Sequence, residues 1–180
     1  MSTPRATVIK QVRQTGLELV EKAGHPVEII PSKSPSFNVR LGKDMLAHVK
    51  VATSGNPIIR ALSNDAECSF NGLTDSVTHL LLIRRDRKTE AIEAYLMPKN
   101  VALSAFRAAW KQTLGRTYDN PPSDAVSINF NKKAIREQFS EYLVGSQPAP
   151  PPALTIDQAK AGLAVSYAVP VEAVKISIEM

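Results

Sequence analysis

The sequence predicts an α/β chain of the α+β type: a mixed, largely antiparallel central sheet flanked by helices, with a C-terminal helix–strand appendage. Three observations predict it. Segments with two-residue apolar alternation cluster between residues 27 and 97, and segments with helical apolar spacing lie on both sides of that cluster. A proline-rich run at 146–153, SQPAPPPA, then sets off a short remainder.

Residues 4–23 form the first predicted helix. Ser2 or Thr3 can cap it, Pro4 suits its first turn and Gly24 its end. Val8, Val12, Leu19 and Ala23 make an apolar stripe that Ile9, Leu17 and Val20 widen. Val27–Ile30 follows as a short strand, and residues 31–36 read as a turn. Phe37–Leu41 and Met45–Thr53 are the next strands, joined through Gly42-Lys43-Asp44 as a hairpin. Alternation puts Leu46, His48 and Lys50 on one face of the second strand and Ala47, Val49 and Val51 on the other. Residues 54–75 mix breakers with single apolar positions and predict a long loop with local structure.

Val77–Ile83 is a strongly apolar run, expected as a central strand. Residues 84–90, RRDRKTE, read as a charged turn, and Ala91–Met97 alternates again before Pro98 ends it. Asn100 is placed to cap a helix from Val101 to Leu114, with Gly115 closing it; Phe106 and Trp110 are four apart and within reach of each other. Val126–Phe130 is a short strand. Asn131 then opens a helix over 132–144, buried through Ile135, Phe139, Tyr142 and Leu143 and ended by Gly145. The expected organisation is a main domain 1–145, a linker 146–153 and a tail 154–180. In the tail, Thr155 and Gln158 form a capping box for a helix to Tyr167, and Val174–Ile178 alternates as a strand. Some 27 residues cannot build a core alone. The tail is therefore expected to dock on the main domain, on a protein partner or on a second copy of the chain.

Composition excludes several classes. The hydrophobic fraction of 43% supports a real core and opposes global disorder. No apolar run approaches the roughly 20 residues that span a bilayer, and the N-terminus lacks the apolar centre of a signal peptide, so a cytoplasmic location is expected. Cys68 is the single cysteine; it reads as a buried structural thiol and cannot form an internal disulfide. The chain contains no phosphate-binding glycine loop, dinucleotide fingerprint or nucleophile-elbow serine, and His25, His48 and His79 are scattered. No cofactor or metal is expected.

The net charge of +5 is uneven: residues 1–145 carry 20 Lys and Arg against 14 Asp and Glu, and residues 146–180 carry two against three. The main domain is the basic part, which suits a polyanionic partner. Its densest basic cluster is Arg84, Arg85, Arg87 and Lys88, placed to grip phosphates from a hairpin turn. The plain alternative is a solvated turn that blocks edge pairing. Arg107, Lys111 and Arg116 extend the cluster along a helix whose Trp110 packs into the core. Lys132, Lys133 and Arg136 sit early in a helix, against its dipole, as if an anion or partner met them.

The order helix, three strands, irregular segment, strand, strand, helix carries a family likeness. A strand at Phe37–Val39, a strand of pattern hydrophobic-x-hydrophobic-Lys at Ala47–Lys50, and an apolar strand after Asp75 together resemble the restriction-endonuclease-like fold of the PD-(D/E)xK nuclease superfamily. The likeness covers residues 4–114. In that family two carboxylates hold Mg²⁺ beside the scissile phosphate and a lysine helps to orient and activate water. Carried over, Asn38 takes the first acidic position, His48 the second and Lys50 the lysine. Only Lys50 matches. Asn38 lacks the charge that holds Mg²⁺, and His48 offers nitrogen where a hard oxygen is wanted. The resemblance thus implies a nuclease fold with a degenerate active site, while Asp44 and Glu93 are the carboxylates that a relocated metal site would use. The plain alternative is that Lys50 and His48 are neighbours on a polar strand face.

The leading expectation is a non-catalytic nucleic-acid-binding or regulatory protein, with contacts to DNA or RNA from Lys50, Arg84, Arg85, Arg87, Lys88, Arg107 and Lys111. The alternative is a protein-interaction or assembly module that binds a protein partner or self-associates through residues 154–180. The third is a metal-dependent nuclease with relocated ligands.

Overall fold

The computed structural model describes residues 4–31, 37–53, 56–62, 67–114, 125–148 and 156–176. The chain divides into two units, Met1–Ala149 and Pro150–Met180.

The first unit opens with helix α1, Pro4–Lys22. Gly24, at φ +91°, lets the chain reverse after it. Its buried stripe is Val12, Leu17, Leu19 and Val20, whereas Ile9 remains exposed. Gly16 sits on the same stripe with no room for a side chain: a Cβ there would lie 2.3 Å from the Ile83 Cγ2. The helix axis therefore approaches the sheet closely.

Strands β1 (Val27–Ile30), β2 (Phe37–Leu41) and β3 (Met45–Ala52) form an antiparallel meander. Gly42, at φ +65°, makes the β2–β3 turn. The chain then places β4, Ile58–Arg60, outside the main sheet. Strand β5 (His79–Arg85) lies parallel to β3, and β6 (Ile92–Pro98) runs antiparallel to β5. Helix α2 (Lys99–Leu114) follows β6 directly. After β7 (Ala125–Ser127), helix α3 (Lys133–Gln138) and a 3₁₀ turn at Ser140–Tyr142, strand β8 (Leu143–Gln147) pairs antiparallel with β6. The result is a six-stranded mixed, mostly antiparallel sheet in the order β1-β2-β3-β5-β6-β8, with β4 and β7 as a separate two-stranded sheet. The predicted fold class is the one found.

Alternation divides the strands between two cores. Val39, Leu41, Ala47, Val49, Leu81, Ile83, Ile92, Ala94 and Leu96 pack with the stripe of α1. Leu80, Leu82, Tyr95 and Met97 face the opposite way, against Ala102, Phe106 and Trp110 of α2. These three are spaced by four along the helix, and Phe106 and Trp110 are fully buried. Within the loop expected over 54–75, the described residues 56–62 and 67–75 are more than a loop. Ile59, Cys68, Phe70 and Leu73 are buried in the α2-side core, and an isolated bridge joins Ala61 to Phe70.

Several expectations need correction. The helix predicted over 132–144 stops at Gln138, because Phe139 turns inward (φ −105°, ψ 10°) to stack on Phe130. Residues 143–147 then pair along β6, which satisfies backbone groups that would otherwise face an open edge. Gly145 is not a helix stop. It sits under Leu19 of α1, where a Cβ would come within 3.1 Å of the leucine side chain. Ser146 and Gln147 pair with Glu93 and Ile92, so the linker cannot start at 146; residues 149–153 lie outside the described part. Lys132, not Asn131, precedes α3 as its cap residue. Asn100 lies within α2 rather than before it. Arg84 and Arg85 belong to β5, two residues beyond the predicted strand end, because Arg84 pairs in register with Ala52 and Glu93. The predicted caps Ser2 and Thr3, Gly115, and the capping residue Thr155 fall outside the described residues.

The second unit contains helix α4, Ile156–Tyr167, and a 3₁₀ turn at Val171–Ala173. Val174–Ile176 is not a strand, and residues 177 and 178 lie outside the described part. No strand of this unit is present among the described residues to receive its backbone hydrogen bonds. Ile156, Leu163, Val165 and Tyr167 of α4 are exposed. No helix among the described residues is long and apolar enough to cross a membrane.

Candidate nucleic-acid interface

Asn38, His48 and Lys50 are brought together. Asn38 and His48 face each other across the β2–β3 ladder, and Lys50 is two residues further along β3. All three occupy the α2 side of the sheet, since Ala47 and Val49 point to the α1 side. His48 is 5% exposed. Its Nδ1 lies 3.0 Å from the Asn38 Oδ1, and its Nε2 edge abuts Gly72, where a Cβ would fall 2.1 Å from that nitrogen. Burial, and then the neighbouring Lys50, lower the His48 pKa, so the imidazole is neutral. With Nδ1 protonated, the ring donates to the Asn38 carbonyl.

Lys50 is half-buried, and burial lowers its pKa as well. Among the described residues no carboxylate lies within 4 Å of its amine. Asp44 stands in the β2–β3 turn, and Glu93 is held by Arg84 and Tyr95. Neither carboxylate proposed for a relocated metal site therefore joins the trio, and no group of three metal-ligating side chains occurs among the described residues.

The histidine has a measurable consequence. Its folded pKa lies below the unfolded value near 6.5, so the unfolded chain takes up the proton first. Stability is complete above that pH and falls as pH drops through it, by at most about 1.4 kcal/mol per unit for one proton, until the folded pKa is reached. His79, lowered by burial and by His25, adds loss in the same direction. Urea unfolding between pH 8 and pH 5 should show a shallower decline for His48→Gln than for the wild type. Equal slopes would remove His48 from this role.

The arginine cluster divides into an interior and a surface part. Arg84 is fully buried and shares the sheet face of Lys50, two rungs further on. Its Nη1 donates to Glu93 at 2.6 Å and its Nη2 to Asp86 at 2.9 Å, while its guanidinium lies 5.4 Å from the Phe130 ring centre. This corrects the expectation that Arg84 grips phosphate: its charge is already matched by carboxylates inside the fold. Tyr95 donates to the same Glu93 oxygen, and burial followed by Glu93 pushes its pKa up to about 12. For Asp86, burial acts to raise the pKa. The backbone N–H groups of Thr89 and Lys88 and the Arg84 guanidinium outweigh it and hold the carboxyl well below the usual range.

Asp86 is also the hub of the hairpin tip. Its Oδ1 accepts from the Lys88 and Thr89 amides, and its Oδ2 lies 3.4 Å from the Arg136 Nη1 of α3. Arg87 and Lys88 are exposed there. Arg85 pairs with Glu90. Lys132 and Lys133 stand within a turn of Arg136 on α3, and Lys133 pairs with Glu137 at 3.5 Å. One surface thus gathers the tip of the β5–β6 hairpin and the start of α3, which are separated by more than 40 residues in sequence.

Arg107 and Lys111 are elsewhere and are engaged. Arg107 donates to the backbone carbonyls of Cys68 and Glu67, and both side chains pair with the Glu67 carboxylate. They clamp the covering segment to α2. Arg116 lies outside the described residues. Asp86, Phe130 and Gly72 were not singled out from sequence. The readable signal for the first was the alternation Leu80, Leu82, Arg84, which continues the strand and sets an arginine against Glu93 across a hairpin. Gly72 lies in an irregular segment with no period to read, whereas Phe130 continues the buried alternation of Val126 and Ile128 beyond the end of β7 at Ser127.

No protein-family model matches this chain, and no curated protein or solved structure is significantly similar to it.

Proposed function

We propose that the protein is a non-catalytic nucleic-acid-binding or regulatory protein on a degenerate nuclease-like fold. The observation that carries this reading is Lys50. It is a half-buried amine with no carboxylate partner among the described residues, set beside a neutral imidazole on the sheet face where the nuclease resemblance puts the phosphate. The element order that the resemblance requires also supports it, from α1 through the β1–β3 meander and the irregular segment to β5, β6 and α2. The basic surface built from the hairpin tip and α3 supplies cations suited to phosphate.

Anisotropy titrations of the full chain with labelled DNA and RNA, over a range of KCl concentrations, test the reading. Binding should weaken with salt, with a log–log slope of about −0.9 for each duplex phosphate engaged. Lys50→Ala should weaken it severalfold. Affinity that is absent, or indifferent to salt, defeats the proposal.

A further inference from the structure

The exposed base of the α2–α3 region contains a cleft of about 310 Å³. Its floor is apolar, from Ala105 of α2, Ile128 and Phe139; its rim carries Gln112, Lys132 and Gln138. No carboxylate lines it. We infer that this cleft receives one unstacked base of a single-stranded nucleic acid, with the adjoining phosphates carried along Lys132 and the neighbouring Arg136–Lys88 edge. The inference rests on the nucleic-acid reading above and names the site and the strandedness.

Four features point to that ligand. The volume is at the small end of the ~300–1,000 Å³ range of ligand sites, which suits a single ring system better than a peptide segment. The rim amides of Gln112 and Gln138 both donate and accept, as the edge of a base requires, and each is exposed with no side-chain hydrogen bond among the described residues. The apolar floor gives the ring faces a dry surface. The one charged side chain that lines the cleft is positive: Lys132 has no carboxylate within 4 Å among the described residues, Glu137 next to Gln138 is paired with Lys133, and the pairing of Arg136 with Asp86 fixes α3 against the hairpin tip that carries Lys88. A duplex would keep its pairing edges turned inward and could use only the cations.

The test uses the full chain, a short labelled single-stranded oligonucleotide of mixed sequence, and a duplex of the same length. Wild type should prefer the single strand. Gln112→Ala combined with Gln138→Ala should weaken single-strand binding about tenfold and leave the salt slope unchanged, as expected for contacts to a base. Lys132→Ala should weaken it and reduce the slope by about 0.7, one single-strand phosphate. Lys43→Ala, in the β2–β3 turn, should bind as wild type. These positions are exposed, and unfolding midpoints of the variants confirm that each is folded. Preference for duplex, or single-strand binding unchanged in both cleft variants, overturns the inference and leaves nucleic-acid binding standing. Failure of the wild type to bind either probe removes both.

Discussion

Arg84→Met is expected to destabilise the main unit by about 3–5 kcal/mol, the cost of breaking a buried ion pair from one side. The arginine has no exposed surface and is the cation for two carboxylates, Asp86 at 2.9 Å and Glu93 at 2.6 Å. Methionine fills similar space and leaves Glu93 without a counter-charge and Asp86 with only the more distant Arg136. Asp86 would keep its hairpin amides and Arg136, but Glu93 would retain only Tyr95. Arg84→Lys should fall between the wild type and Arg84→Met. It restores the charge but not the fork that reaches both acids or the flat contact with Phe130. Urea unfolding at pH 7 measures the difference. A loss under about 1 kcal/mol for Arg84→Met would mean that the two acids are solvated in the native state and the buried network is not as described.

Gly72→Ala should cost about 2–4 kcal/mol from two separable sources. Gly72 has φ +88°, a conformation that burdens any L side chain, and the added Cβ would meet the His48 ring at 2.1 Å. His48 cannot readily move aside, because it is buried and tied to Asn38. In a His48→Ala background the collision disappears and the backbone strain remains, so Gly72→Ala should become cheaper there. The double-mutant cycle isolates the contact. The same cost in both backgrounds would mean that the histidine does not occupy this slot.

Much of the sheet was legible in the sequence because its information is local. The alternation read over Met45–Thr53 and Ala91–Met97 assigned the correct faces to Ala47, Val49, Ala94 and Met97. The spacing of Phe106 and Trp110 likewise identified the inner side of α2. Elements whose partners are distant were misread. Residues 143–147 follow a helical apolar spacing through Ile135, Phe139 and Tyr142, and only the open edge of β6, some 50 residues upstream, makes them a strand. RRDR has the composition of a turn, yet its first residue is among the most buried in the protein. Composition registers charge and cannot register that Asp86 and Glu93 cancel it. Alternation put His48 and Lys50 on one face of β3, whereas the place of Asn38 opposite His48 depends on the β2–β3 register, which alternation does not set. The burial that lowers the His48 pKa includes the close approach of Gly72, which comes from a segment without periodicity. The cleft between α2 and α3 was not foreseen, because it depends on where α3 stops.

The pairing of β8 with β6, under Leu19 of α1, has a consequence for synthesis. Helix α1 leaves the ribosome well before β8, but its seat includes Gly145 of that strand. The β1–β3 meander can form from local contacts as it emerges. The parallel neighbour β5 must wait for the intervening segment, and the far edge of β6 stays unpaired until residue 147 is available. The nascent domain thus carries an uncovered strand edge and a helix with an incomplete seat for most of its synthesis. That interval is when a chaperone would be needed, and when two nascent chains are most able to exchange this strand.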